Sequence, residues 1–186
     1  LFVFPQAPFD IAGGAPGPYD GRAWWPIDMT RLQIAALTGR IESLAEEHPE
    51  GMDSARAELD AFLDALLGHF GLPGDRLVLG GFSQGAMLTC DLALRTERPL
   101  AGLVQLSGTT LCQDEWFPLL PRRKGLRVLQ SHAPDDPILP FTLAERLHNA
   151  ALDAGLDARF VRFVGGHGVG QPVLDALGGF LREILP

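Results

Sequence analysis

The chain has 186 residues, 46% hydrophobic and 20% charged, which is enough length and apolar content for a single domain with a sizeable core. Its formal charge of −8 argues against the basic surface that nucleic acid or an anionic membrane would require. No stretch reaches the length of a membrane span and no signal-peptide pattern opens the chain, so a soluble, cytoplasmic protein is expected.

The chain begins without a methionine, inside the apolar run Leu1-Phe2-Val3-Phe4, which reads as a buried strand with an upstream segment expected before it. Residues 11–23 are dense in Gly and Pro and read as an irregular surface loop. The adjacent Trp24 and Trp25 then read as a core anchor. Residues 30–48 are loosely helical. A clearer helix follows, in which Leu59, Phe62, Leu63, Leu66, Leu67 and Phe70 form one apolar face, with Asp53 or Ser54 as cap and Gly71 as stop.

Next comes Arg76-Leu77-Val78-Leu79, an apolar run entering Gly80-Gly81-Phe82-Ser83-Gln84-Gly85, and then a helix-compatible stretch from Gln84 to Arg95. Further strands are expected at 101–106, 126–130 and 158–164. Between them lies a helix opened by a Thr142-x-x-Glu145 capping box, and after them a helix with Pro172 in its first turn. The dense basic run Arg122-Arg123-Lys124 reads as a solvated turn. Strands alternating with helices imply an α/β fold, a mostly parallel sheet with helices on both faces, and chemistry at the carboxyl ends of the strands.

Strand, G-x-S-x-G and helix together define a nucleophile elbow with Ser83 at its apex. A serine hydroxyl is a weak nucleophile and needs a base. Of five histidines, His48, His69 and His148 lie on or near helices and read as surface residues, whereas His132 ends a strand and reads as a bond to its neighbouring loop. His167, in Gly165-Gly166-His167-Gly168 after the last strand, can be carried to the serine and is the expected base. The orienting acid should fall between the two in sequence. Asp136 is favoured because Pro137 holds it extended, and Asp135 is the alternative. The Gln84 backbone N–H, at the start of a helix, is the expected oxyanion donor. Cys90 and Cys112 fit neither a disulfide framework nor a metal spacing and read as free thiols, and neither stands at an elbow. A thiol enzyme is the weaker alternative.

Pro5-Gln6-Ala7-Pro8, residues 23–28, Leu79 through Gly85, Leu106-Ser107-Gly108, His132 through Pro140 and Gly166-His167 together resemble the phospholipase/carboxylesterase family of the α/β-hydrolase fold, which includes acyl-protein thioesterases. The resemblance spans nearly the whole chain, and Leu-Gly-Gly-Phe-Ser-Gln-Gly is more specific than the bare elbow. It implies Ser83 as nucleophile, Asp136 as triad acid and His167 as base, acting on a small-molecule ester or acyl-thioester with no metal or organic cofactor. His132-Ala133 departs from the family's usual His-Gly. By the same resemblance, N-terminal strands are missing before residue 1, and with them the loop that supplies the second oxyanion donor. Trp24, Trp25 and the apolar residues of the 110–120 segment are candidates for an acyl pocket or for ordinary packing. A dienelactone-type hydrolase or peptidase, or a non-catalytic domain on the same scaffold, are the competing readings.

Overall fold

The computed structural model describes residues 1–10, 21–28, 30, 31, 34, 38 and 42–185. Four strands form the central sheet: β3 (Val78–Phe82), β4 (Gly102–Leu106), β5 (Arg127–His132) and β6 (Asp157–Arg162). They pair in the order β3-β4-β5-β6, all parallel, so each pair needs a crossover. The crossovers are helical: α3 (Gln84–Arg95) after β3, α4 (Gln113–Leu119) with a 3₁₀ turn at Leu120–Arg123 after β4, and α5 (Phe141–Asp153) after β5. α6 (Gln171–Ile184) follows β6. Before the sheet lie a two-residue antiparallel ladder, β1 (Phe9–Asp10) with β2 (Arg22–Ala23), the short α1 (Glu42–Ala45) and the long α2 (Met52–Phe70).

Side chains alternate across a strand, and the core divides accordingly. Leu79, Leu103 and Val128 face α2, α3 and α5 in the larger cluster. Val104 and Leu129, one residue on, face Phe180 of α6. The sheet is therefore covered on both faces, which is why its strands read as apolar runs rather than as alternating patterns. α3 crosses the centre, buried from Ala86 to Leu94.

Several local expectations are corrected. Residues 1–7 carry no strand, and Leu1, Phe2 and Phe4 are 88%, 73% and 87% exposed. An apolar run becomes a strand only where another strand completes its ladder, and among the described residues these pair with none. Arg22 and Ala23 belong to a ladder rather than to a loop. Residues 11–20, and part of the helical stretch expected over 30–48, lie outside the described residues; within that stretch residues 30, 31, 34 and 38 and α1 are helical. α2 starts from Gly51, in the left-handed region at φ 88°, with neither Asp53 nor Ser54 as its cap. Its end matches expectation: Gly71 (φ 61°) donates to Gly68 O and Leu72 donates to Leu67 O, the paired bonds of a Schellman stop. The capping box does not form either. α5 begins at Phe141 behind an extended Pro140, with Leu143 N–H bonded to Pro140 O.

Candidate active site

The elbow is built by close approach. Ser83 sits between β3 and α3 at φ 53°, ψ −119°, a sparsely populated conformation that the packing around it must hold. Its N–H bonds Leu106 O at the end of β4, and its own carbonyl accepts from Ala86 and Met87. Beneath it, Gly81 lies so near the first turn of α3 that a Cβ there would be 2.2 Å from Gly85 C. Ser83 Oγ is left pointing out of the turn.

His167 reaches it from the loop after β6. Gly165 and Gly166, at φ 153° and 63°, turn the chain, and Ser107 Oγ–H donates to Gly168 O at 2.9 Å, fixing the loop to the end of β4. His167 Nε2 lies 2.8 Å from Ser83 Oγ, and Nδ1 lies 2.8 Å from Asp136 Oδ2. Because Asp136 is a carboxylate, Nδ1 carries the hydrogen and Nε2 accepts the serine proton. The ring also leans on Phe82, with centroids 5.0 Å apart.

Asp136 stands in the loop after β5 with its side chain fully buried. Oδ1 accepts the N–H groups of Ile138 (2.8 Å) and Leu139 (3.0 Å), an Asx-type turn that sets the carboxylate's direction. Burial by itself pushes this carboxyl group up. Hydrogen bonds from His132, His167, Leu139 and Ile138 outweigh it and hold the group well below the usual carboxylate range. Asp135 points elsewhere and accepts the Gly165 N–H at 3.3 Å.

Of the residues singled out in the sequence, Ser83, Asp136 and His167 therefore meet. Gln84 stands at the first position of α3, where helix N–H groups have no partner within the helix. Its side chain does something the sequence reading missed. Oε1 accepts the Trp24 N–H at 2.7 Å and Nε2 donates to Trp25 O at 3.0 Å, so the amide clamps that strap against the elbow. Trp25 is core and also lines a cavity of about 200 Å³ beside Ser83, together with Ile27, Leu44, Met87, Leu111 and Leu139. Arg31 and Glu47 pair at 3.0 Å on its wall. Trp116, by contrast, is wholly buried and donates to Asp91 Oδ1 at 2.8 Å, so it belongs to the packing.

Asp91, inside the apolar run of α3, also accepts Arg56 (2.6 Å) and Arg95 (2.7 Å). A lone carboxylate in such a run was the available signal for this buried network. His132 is fully buried, and His148 is half-buried against Phe160 rather than on the surface. Both cysteines are free and buried. Burial, reinforced by neighbouring carboxylates, pushes Cys90 up and Cys112 up to about 12, so neither is a ready thiolate. His48, Cys112 and Glu115 place donor atoms within 4.8 Å of one another. Each already has a partner, His48 between Glu115 and Asp53, Glu115 on Arg95, and the Cys112 thiol on Glu47 O. Among the described residues no helix is long and apolar enough to cross a membrane.

A parallel sheet with a serine on the strand-to-helix elbow, and with a carboxylate and an imidazole on later strand ends, defines the α/β-hydrolase class. A family model described as phospholipase/carboxylesterase matches residues 2–185. The chain belongs to the phospholipase/carboxylesterase family, which places it among hydrolases of the carboxylesterase and thioesterase type. It is 29% identical over 195 residues to acyl-protein thioesterase 1 of Neurospora crassa, covering 100% of this chain and 74% of that protein. With acyl-protein thioesterase 1 of Mycosarcoma maydis it shares 30% identity over 158 residues, covering 78% of this chain and 59% of the relative. Among solved structures, the esterase PE8 superposes with a TM-score of 0.73 at 32% identity, covering 97% of this chain and 77% of that one.

Proposed function

We propose that the chain cleaves small carboxylic esters or acyl-thioesters through an acyl-enzyme on Ser83, with His167 as base and Asp136 as the acid that orients it. One observation carries the reading: an unbroken hydrogen-bonded line from Ser83 Oγ through both ring nitrogens of His167 to Asp136, each link 2.8 Å. His167 Nε2 takes the serine proton as Oγ attacks the acyl carbonyl. Asp136 keeps the other nitrogen protonated and stabilises the imidazolium that forms. Negative charge developing on the carbonyl oxygen is met by the Gln84 N–H at the positive end of α3. His167 then protonates the departing alcohol or thiol, and water repeats the sequence on the acyl-enzyme. The apolar cavity beside Ser83 suits a hydrocarbon acyl group. Two buried free thiols and a net charge of −8 fit a cytoplasmic setting with no nucleic-acid partner.

The test is covalent labelling by a fluorophosphonate together with turnover of a short p-nitrophenyl ester. Ser83 is expected to carry the label, and Ser83→Ala and His167→Ala each to lower kcat by about 10,000-fold or more while the proteins stay folded. Turnover in Ser83→Ala near that of the parent protein ends the assignment. A panel setting esters and thioesters against a lactone and an aminoacyl amide separates this reading from a lactone hydrolase or a peptidase.

A further inference from the structure

The Asp136 carboxylate has four donors around it. Two are backbone N–H groups on Oδ1 and one is His167 on Oδ2. The fourth is a second imidazole: His132 Nε2 lies 3.2 Å from Oδ2 and 3.0 Å from Leu139 O. His132 ends β5, has no solvent exposure and rests edge-on against Phe141 at 6.1 Å. Its other nitrogen, Nδ1, is buried with no hydrogen-bond partner among the described residues. A hydrogen on Nδ1 would be a buried donor lacking an acceptor, whereas Nε2 faces two acceptors. The hydrogen therefore sits on Nε2, shared between the carboxylate and the Leu139 carbonyl.

We propose that His132 is a positioning residue for the orienting acid, its Nε2–H holding Asp136 Oδ2 where His167 Nδ1 engages it. The inference rests on the triad reading above and deepens it. Without this donor, Oδ2 would be held by the base alone, and the two bonds on Oδ1 would be left to resist turning of the carboxylate while the imidazole moves through the cycle. A second donor on Oδ2 also disperses its charge, which keeps the proton on the imidazole rather than on the acid. His132 touches no reacting atom; it acts through Asp136.

The experiment compares two polar replacements. His132→Gln places an amide N–H near the position of Nε2, while His132→Asn is too short to reach Oδ2. Expected for His132→Asn is a kcat on a p-nitrophenyl ester about 10- to 100-fold lower with KM changed less than about twofold, and for His132→Gln a kcat within about threefold of the parent. Proton NMR supplies a second readout: the low-field signal of the His167 Nδ1 hydrogen should persist in the Gln variant and shift or broaden in the Asn variant. A folded His132→Asn with the parent kcat and the parent low-field signal overturns the role, and so does a His132→Gln as impaired as the Asn variant. Fluorophosphonate labelling keeps the two readings apart. No label on Ser83 in the parent protein removes the triad reading and this one with it; equal labelling rates in the parent and in His132→Asn remove the His132 role alone.

Discussion

Gly81→Ala tests whether the elbow depends on close approach. The added Cβ would lie 2.2 Å from Gly85 C, 2.3 Å from Gly85 O and 2.5 Å from Ala86 N, all backbone atoms that no rotamer change can move aside. Carbon atoms pack at about 3.5–4.0 Å, so α3 and β3 must separate by more than about 1 Å. Ser83 lies between them, and its 2.8 Å contact with His167 would open to about 3.8 Å, past hydrogen-bond range. A misplacement of about 1 Å costs on the order of 100-fold in rate, and overpacking costs roughly 1–3 kcal/mol of stability. Turnover of a p-nitrophenyl ester, labelling rate and urea denaturation read these effects. Gly68→Ala is the control: it lies within α2 with nothing within 4 Å of the added carbon, and should gain about 0.5–1 kcal/mol with unchanged kcat. Gly81→Ala with activity within threefold of the parent and an unchanged urea midpoint would refute the packing account of the elbow.

Asp136→Asn should lower kcat by about 10,000-fold, as expected when the imidazole loses its orienting carboxylate, whereas Asp135→Asn should change it little; the reverse ranking in steady-state assays would reassign the acid. The Asp136 carboxyl is held below its unfolded value, so its contribution to stability is complete above about pH 4 and is lost as pH falls through the folded value. The melting gap between parent and Asp136→Asn should therefore narrow below that pH. Gln84→Leu leaves the Trp24 N–H and Trp25 O unpaired and should cost about 1–3 kcal/mol in denaturation. Because the backbone N–H of residue 84 is kept, KM should rise more than kcat falls; a collapse of kcat at constant KM would contradict the clamp. Asp91→Ala leaves the buried Trp116 N–H without its acceptor and Arg56 and Arg95 with Asp53 and Glu115 alone, and should cost about 1–3 kcal/mol, read as a lower urea midpoint with Ser83 still labelled in the folded fraction.

What could be read from the sequence was local, or carried by family likeness. The elbow shows because its signal is contiguous: an apolar run, glycines around one serine, then a stretch from Gln84 to Arg95 that suits a helix. His167 shows because glycines flank it after the last strand, and Asp136 because Pro137 follows it. The α/β architecture follows from alternation alone. Long-range facts did not show. Leu1 through Phe4 have a strand's composition, but pairing depends on a neighbour that composition does not reveal, and the segment lies exposed. Thr142 and Glu145 have the spacing of a capping box, yet the bonds at Pro140 start the helix elsewhere. The Gln84 clamp crosses about sixty positions of the chain, and no periodicity records it.

The contacts of the elbow also explain why the signature extends beyond G-x-S-x-G. At Gly80 a Cβ would fall 2.9 Å from Val104 Cβ, so this residue sets the spacing of β3 against β4. Gly81 sets the approach of α3, and across the turn Gly108 lies where a Cβ would be 2.7 Å from Ala86 Cβ, bringing the end of β4 against the same helix. Phe82, partly exposed, sets its ring against His167. Gln84 ties the strap that lines the cavity. Ser83 alone supplies the hydroxyl, while its neighbours fix distances to β4, to α3, to the imidazole and to the cavity wall. A substitution at any of these neighbours therefore moves Ser83 against a different partner, and the kinetic constant that changes should identify which one. Changes at Gly81 and Phe82 should fall on kcat, through the serine–imidazole contact, and changes at Gln84 on KM, through the cavity.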